Sequence, residues 1–358
     1  MDIYTNLFTG SLYLGLSCMI SLLARRGLIL LCVALLAGCD TIVLNHSGDI
    51  AAQQSKLIVI STLLMLIIII PVIFLTLFFA WRYRQSNTSA KYDPEWDHST
   101  KLELIIWGAP LLIIIVLGML TWISTHTLDP YRKLSRLDEN RPLSANVKPL
   151  VVEVVALDWK WLFIYPEQGV ATVNELIAPV DVPVHFRITA STVMNSFYVP
   201  ALAGQIYAMP GMETQLNAVI NKAGTYDGFS ANYSGAGFSD MRFKFHGMTQ
   251  ENFNQWVQTI KAEKLNLNRA AYLEVEKPSI KDPVRRYGSV EADLFHAILN
   301  RCVGADQICM DKLMSMDVNV KPVSKANEKV VSMLAQNQQA ARGSDAEVCT
   351  TPPVTIGK

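Results

Sequence analysis

The chain has 358 residues, with 31 Lys and Arg balanced by 31 Asp and Glu. That balance excludes the basic footprint a nucleic-acid binder needs. It is 51% hydrophobic, but the apolar residues crowd before residue 129, which excludes a channel or transporter built wholly in the bilayer and points to an anchored soluble domain.

At the N-terminus, Arg25-Arg26 precede the apolar run Leu28 to Leu36, then Leu36-Ala37-Gly38-Cys39. A basic start, a short apolar stretch and small residues before a cleavage point make a secretory signal. The last four residues resemble the lipobox of bacterial lipoproteins, which implies that Cys39 is lipidated and that 1–38 is removed. Residues 1–18 lack basic residues, so Met19 competes with Met1 as the true start.

Two long apolar runs follow. Leu57 to Ala80 is 24 residues without a charge, and Leu104 to Leu128 is 25. At about 1.5 Å per residue each exceeds a hydrocarbon core of about 30 Å. Trp81, Tyr83, Trp107 and Trp122 lie near their ends, where aromatic belts form. Basic residues occur on both sides of the second run, so charge does not fix the orientation. A lipidated Cys39 does: it is processed on the outer face, and two crossings return residues 129–358 to the periplasm. Glu103 and Asp129 flank the second run, as helix-end acids facing headgroups.

Beyond a linker over 129–149 the period becomes that of strands. Val151 to Ala156, Trp159 to Tyr165, Val182 to Ala190 and Gln215 to Asn221 are separated by Gly, Pro and Asn clusters, the pattern of an all-β sandwich. A helix is expected from Thr249 as N-cap, with Phe253, Trp256, Val257 and Ile260 on one face. A second helical stretch covers Glu291 to Asn300. Past Asp317 the chain turns polar and aperiodic, so 317–358 is expected to be a disordered tail.

The centre of the sandwich carries Asn195-Ser196-Phe197-Tyr198-Val199-Pro200, then Tyr207-Ala208-Met209-Pro210-Gly211-Met212, then the run from Gly224 to Met241. This arrangement resembles subunit II of the haem–copper respiratory oxidases, from about Cys39 to Val257 and more loosely to Asn300. The resemblance implies a membrane-anchored α+β chain: two transmembrane helices, then a periplasmic cupredoxin-like sandwich over 150–248 and a C-terminal helical extension over 249–316.

In the cytochrome c oxidase branch that sandwich holds the dinuclear CuA centre. Laid on its pattern, the histidines fall on Asn195 and Phe238, the cysteines on Ser230 and Ser234, and the glutamate on Asn232; Met241 alone is retained. Two bridging thiolates are what suits copper, and a serine hydroxyl is hard and stays protonated near neutral pH. The expectation is therefore no catalytic, cofactor or metal site in this chain. Met194-Asn195-Ser196-Phe197, Gln205 to Met209, Asp158-Trp159-Lys160-Trp161 and Tyr165 to Gly169 resemble the quinol branch, the cytochrome bo-type ubiquinol oxidases. That implies a proton-pumping inner-membrane complex in which haem b, a haem o-type group and CuB sit in subunit I, with subunits III and IV as further partners and ubiquinol, not cytochrome c, as donor. Competing readings are a CuA-bearing subunit II and a free-standing lipoprotein with an orphan sandwich.

Three smaller expectations remain. Met209, Met212, Met241, His185 and His246 pack rather than bind copper(I). Trp159 and Trp161 pack against the oxidase core. Cys302 and Cys309, with six residues between them in an oxidising compartment, can close a small loop, which leaves Cys349 unpaired.

Overall fold

A computed structural model describes residues 42–91, 93–144, 147–304 and 307–319, and the side chains up to Ser315. The leader, Cys39, Cys349 and most of the expected tail lie outside the described residues. Two helices, α1 (Asp49–Arg82) and α2 (Thr100–Thr127), carry the apolar runs and are long and apolar enough to cross a membrane. Each contains a proline, Pro71 and Pro110, as membrane helices tolerate. Within the expected linker a short hairpin forms, β1 (Arg136–Asp138) with β2 (Arg141–Pro142).

The sandwich follows as β3 (Leu150–Leu157), β4 (Lys160–Tyr165), β5 (Val170–Val173), β6 (Glu175–Pro179), β7 (Val184–Ala190), β8 (Asn195–Tyr198), β9 (Ile206–Ala208), β10 (Thr214–Ala218), β11 (Gly224–Ser230) and β12 (Arg242–Met248). Then come α3 (Gln250–Lys261), β13 (Asn266–Leu267), α4 (Arg269–Glu276), β14 (Arg285–Tyr287), β15 (Ser289–Val290), α5 (Leu294–Leu299) and α6 (Met310–Asn319). One sheet has the order β10-β7-β3-β4-β5-β14, the other β6-β12-β11-β8-β9. The pairs β3–β7 and β6–β12 are parallel and the remaining pairs within these two sheets antiparallel.

The alternation along β3 and β4 explains the packing. Val152, Val154, Ala156, Trp161, Phe163 and Tyr165 point between the sheets, while Val155, Leu157, Leu162 and Ile164 point to the other face. That second face is covered by the extension, with Tyr272 and Val275 of α4 and Leu294, Phe295 and Ile298 of α5. Both strands are buried almost throughout, as strands covered on two faces are.

Thr249 caps α3, its hydroxyl accepting the Asn252 N–H at 3.3 Å. Helix α5 is shorter than the expected stretch, starting at Leu294 after Asp293 in the left-handed region (φ 60°). Helix α6 runs to Asn319, so the first residues of the expected tail are helical. Cys302 and Cys309 are joined by a disulfide, Cα–Cα 4.7 Å, just before α6.

The head of α1 is seated in the sandwich. Ser47 and Gly48 donate backbone N–H groups to the Ala201 carbonyl, both at 3.0 Å, and Asn221 donates to the Ser47 carbonyl at 2.8 Å. A Cβ on Gly48 would lie 2.7 Å from the carbonyl oxygens of Leu202 and Val219, so only glycine passes.

Between the sheets, the Phe243 ring stacks on Phe197 at 5.5 Å and 9°, with Trp161 edge-on to both. Gly228 is Phe243's cross-strand partner, and a Cβ there would fall 2.1 Å from the ring. Gly228→Ala should displace Phe243 from this stack and cost about 1–3 kcal/mol as overpacking. The check is denaturant unfolding of the purified chain followed by tryptophan fluorescence; an unchanged midpoint would refute the account.

Candidate functional site

The polar residues singled out from the sequence meet at one end of the five-stranded sheet. Asn195 opens β8 and Ser230 closes β11, and the two strands pair at Ser230–Phe197. The Ser230 hydroxyl lies 3.1 Å from Asn195 Oδ1 and 3.3 Å from the Asn232 carbonyl, with one proton to share, and accepts the Ser196 N–H at 3.4 Å. Asn195 donates through Nδ2 to the Val193 carbonyl at 3.1 Å, and Asn232 through Nδ2 to the Met194 carbonyl at 3.2 Å. Asn195 and Ser230 are almost fully buried.

The loop beyond β11 folds back to Met241 through a single 3-10 turn, Phe238–Asp240. The Ser230 N–H donates to the Met241 carbonyl at 3.2 Å, which brings the buried Met241 against the end of β11. Phe238 points the other way, its ring 5.6 Å from the exposed Tyr233. Ser234 Oγ is buried without a hydrogen-bond partner among the described residues.

Trp159, at positive φ (65°) in the turn between β3 and β4, lies across this loop. Its indole N–H donates to the Ser234 carbonyl at 3.1 Å, and a Cβ on Gly237 would sit 2.4 Å from the ring. This corrects the expectation for Trp161. Trp161 is fully buried between the sheets and unavailable to any other surface, while Trp159 packs on the loop of its own domain.

The donor set gathered here is two hydroxyls, two amides and one thioether, with Phe238 offering nothing. None is a thiolate or an imidazole, the groups that hold copper. The other sulfur and imidazole side chains do not converge. His185, on β7, lies 2.8 Å from Asn217 Oδ1; His246, on β12 in the other sheet, faces Thr225 at 3.0 Å and Glu175 at 3.8 Å. Among the described residues no group of three or more His, Cys, Asp or Glu is placed to hold a metal.

A second polar place lies where the extension covers β3, β4 and β7, and sequence reasoning missed it. Glu153 and Lys160 interrupt otherwise apolar strands on the covered face. Arg187 reaches Glu153 at 2.7 Å and Glu213 at 2.7 Å, with its guanidinium 5.0 Å from the centre of the Phe295 ring. Burial pushes the Glu153 carboxyl up to about 7, and the Arg187 charge offsets only part of that. Lys160 Nζ donates to the Lys277 carbonyl at 2.7 Å and to Ser279 Oγ at 2.6 Å, with Asp282 at 3.9 Å; burial lowers its pKa. Charged residues inside two buried strands were the signal in the sequence.

Fold and loop together define an oxidase subunit II, and comparison agrees. A model of the periplasmic domain of cytochrome c oxidase subunit II matches residues 164–247, and a COX aromatic-rich motif matches 261–306, the extension. Cytochrome bo(3) ubiquinol oxidase subunit 2 of Pseudomonas putida is 49% identical over 273 residues, 76% of this chain and 84% of the relative. Ubiquinol oxidase subunit 2 of Acetobacter aceti is 49% identical over 74% of this chain and 84% of its own length. Quinol oxidase subunit 2 of Bacillus cereus is 38% identical over 68% and 82%. The chain belongs to the ubiquinol oxidase subunit 2 family.

Because the folded state holds the Glu153 proton more tightly than the unfolded chain, its contribution is complete below the ordinary carboxylate value near 4.5 and is lost as pH rises through about 7. Glu153→Gln should flatten the pH dependence of stability across that window by up to about 3 kcal/mol. Unfolding midpoints at pH 4.5, 6 and 7.5 for both proteins test this; parallel profiles would contradict it.

Proposed function

We propose that this chain is the structural subunit II of a proton-pumping ubiquinol oxidase and carries no redox centre. The complex oxidises ubiquinol, reduces dioxygen to water and moves protons outward; its haems and CuB reside in subunit I, with subunits III and IV as further partners. The observation that carries the reading is the hydroxyl pair. Ser230 and Ser234 stand where a dinuclear copper centre needs bridging thiolates, and Asn195 and Phe238 where it needs imidazoles. The residues present do not fit copper, and no electron step is routed through them.

The chemistry of the donor gives a reason. A soluble cytochrome delivers electrons from the aqueous side and needs a relay above the membrane. Ubiquinol is dissolved in the bilayer and reaches a membrane-embedded subunit directly, so a relay in the sandwich lies on no electron path. The chain then acts by packing: two helices against subunit I in the inner membrane, and a sandwich over 150–248 capping its periplasmic face. Lipidation of Cys39 after removal of 1–38 adds a third attachment and sets the outward orientation. The extent of similarity to named oxidase subunits favours this over an orphan lipoprotein.

The purified membrane complex tests the proposal. We expect two haems and one copper per complex, no near-infrared CuA band, and turnover with ubiquinol but not cytochrome c. Three coppers with the band, and turnover with cytochrome c, would overturn it.

A further inference from the structure

Two small recesses flank the head of α1, sharing Asp49, Gln53 and Arg136. The first, about 240 Å³, lies under the β1–β2 hairpin and is closed by its own ion pairs, Lys56 with Glu139 at 2.7 Å and Arg136 with the buried Asp49 at 3.1 Å. The second, about 200 Å³, opens between α1 and the segment leaving α2; of its three cations Arg136 is taken by Asp49, and Arg132 and Lys133 make no ion pair among the described residues. Arg132 meets only the Thr127 carbonyl, at 3.5 Å, and Lys133 has no ion pair or hydrogen bond among the described residues. On the same segment Asp129, whose carbonyl accepts the Arg132 N–H at 3.0 Å, accepts the Tyr131 N–H at 2.9 Å with one carboxylate oxygen, and no partner is found for the other among the described residues.

The height of this recess is set by the helices. On α1 the apolar run begins at Leu57, one turn below Gln53. On α2 the exposed Trp122 lies against His126, ring centres 4.6 Å apart and tilted by 45°, an aromatic at the membrane boundary about one turn before the helix ends. Arg132, Lys133 and Asp129 therefore stand at the level of lipid headgroups on the side of the sandwich. Two unpaired cations beside one carboxylate, a few residues apart on the same segment, match a phosphodiester carrying a primary ammonium. A headgroup without an amine would leave the Asp129 carboxylate unmatched.

We propose that this recess binds the headgroup of one ethanolamine phospholipid of the outer leaflet, its phosphate on Arg132 and Lys133 and its ammonium on Asp129, with Gln53 on the opposite wall. The inference rests on the two helices spanning the membrane, and not on what the complex oxidises. Such a lipid fills the gap between the helix ends and the sandwich.

The test is lipid counting by native mass spectrometry on the complex released from nanodiscs of equal parts phosphatidylethanolamine and phosphatidylglycerol. The unaltered complex should retain one more ethanolamine lipid than the Arg132→Gln/Lys133→Gln variant, and Asp129→Asn should abolish the preference for ethanolamine over glycerol lipid. All three side chains are exposed, so the variants are expected to fold. Equal lipid counts in all proteins, or glycerol lipid held as well as ethanolamine lipid by the unaltered complex, would overturn the proposal. Haem content measured on the same samples separates this from a failure of the oxidase reading, since a chain purified without haem can still be scored for lipid.

Discussion

The structure depends on a six-stranded sheet that is covered on both faces. One face closes against the five-stranded sheet around Phe197, Phe243 and Trp161. The other is covered by the extension, with α4, α5 and the short β13–β15 pair, while β14 extends the sheet at its edge. The extension is therefore part of the core rather than an appendage. It also buries two charges that a half-exposed sheet would leave in water. Lys160 is held by the Lys277 carbonyl, Ser279 and Asp282, the last paired in turn with Arg285. Breaking such a buried arrangement by removing one partner is costly, so Lys160 fixes where residues 277–285 must lie.

Hydrogen bonds hold the loop from Ser230 to Met241: the Ser230 hydroxyl with Asn195 and Asn232, the Ser230 N–H to the Met241 carbonyl, and the Trp159 indole N–H to the Ser234 carbonyl. Gly235, at φ 112°, and Gly237 let the chain pass beneath that indole. The exposed Tyr233 projects from the loop between these anchors.

Much of this was legible in the sequence, and the reasons are physical. Uninterrupted apolar runs marked α1 and α2, since nothing else requires so many apolar residues in a row. Strand-forming runs marked β3, β4, β7 and β10, and Thr249 marked the start of α3. The polar character of the loop followed from residue identity alone. What escaped was local or long-range. Helix α4 has only eight residues; its signals were Asn268, whose side chain accepts the Ala271 N–H at 2.8 Å, and Tyr272 and Val275 on one face. Trp161 looked available for a partner because its burial depends on Phe197 and Phe243, more than thirty residues away in sequence. The partners of Glu153 and Lys160 come from Arg187 and from the segment after α4, and no spacing announces such pairings.

The passage of Gly48 between two carbonyls has a consequence for reach. Helix α1 climbs from Leu57 to Asp49, about 12 Å of helix, before it is gripped by the sandwich. Because that grip is made of backbone hydrogen bonds, the domain stands on a strut of fixed length rather than on a tether.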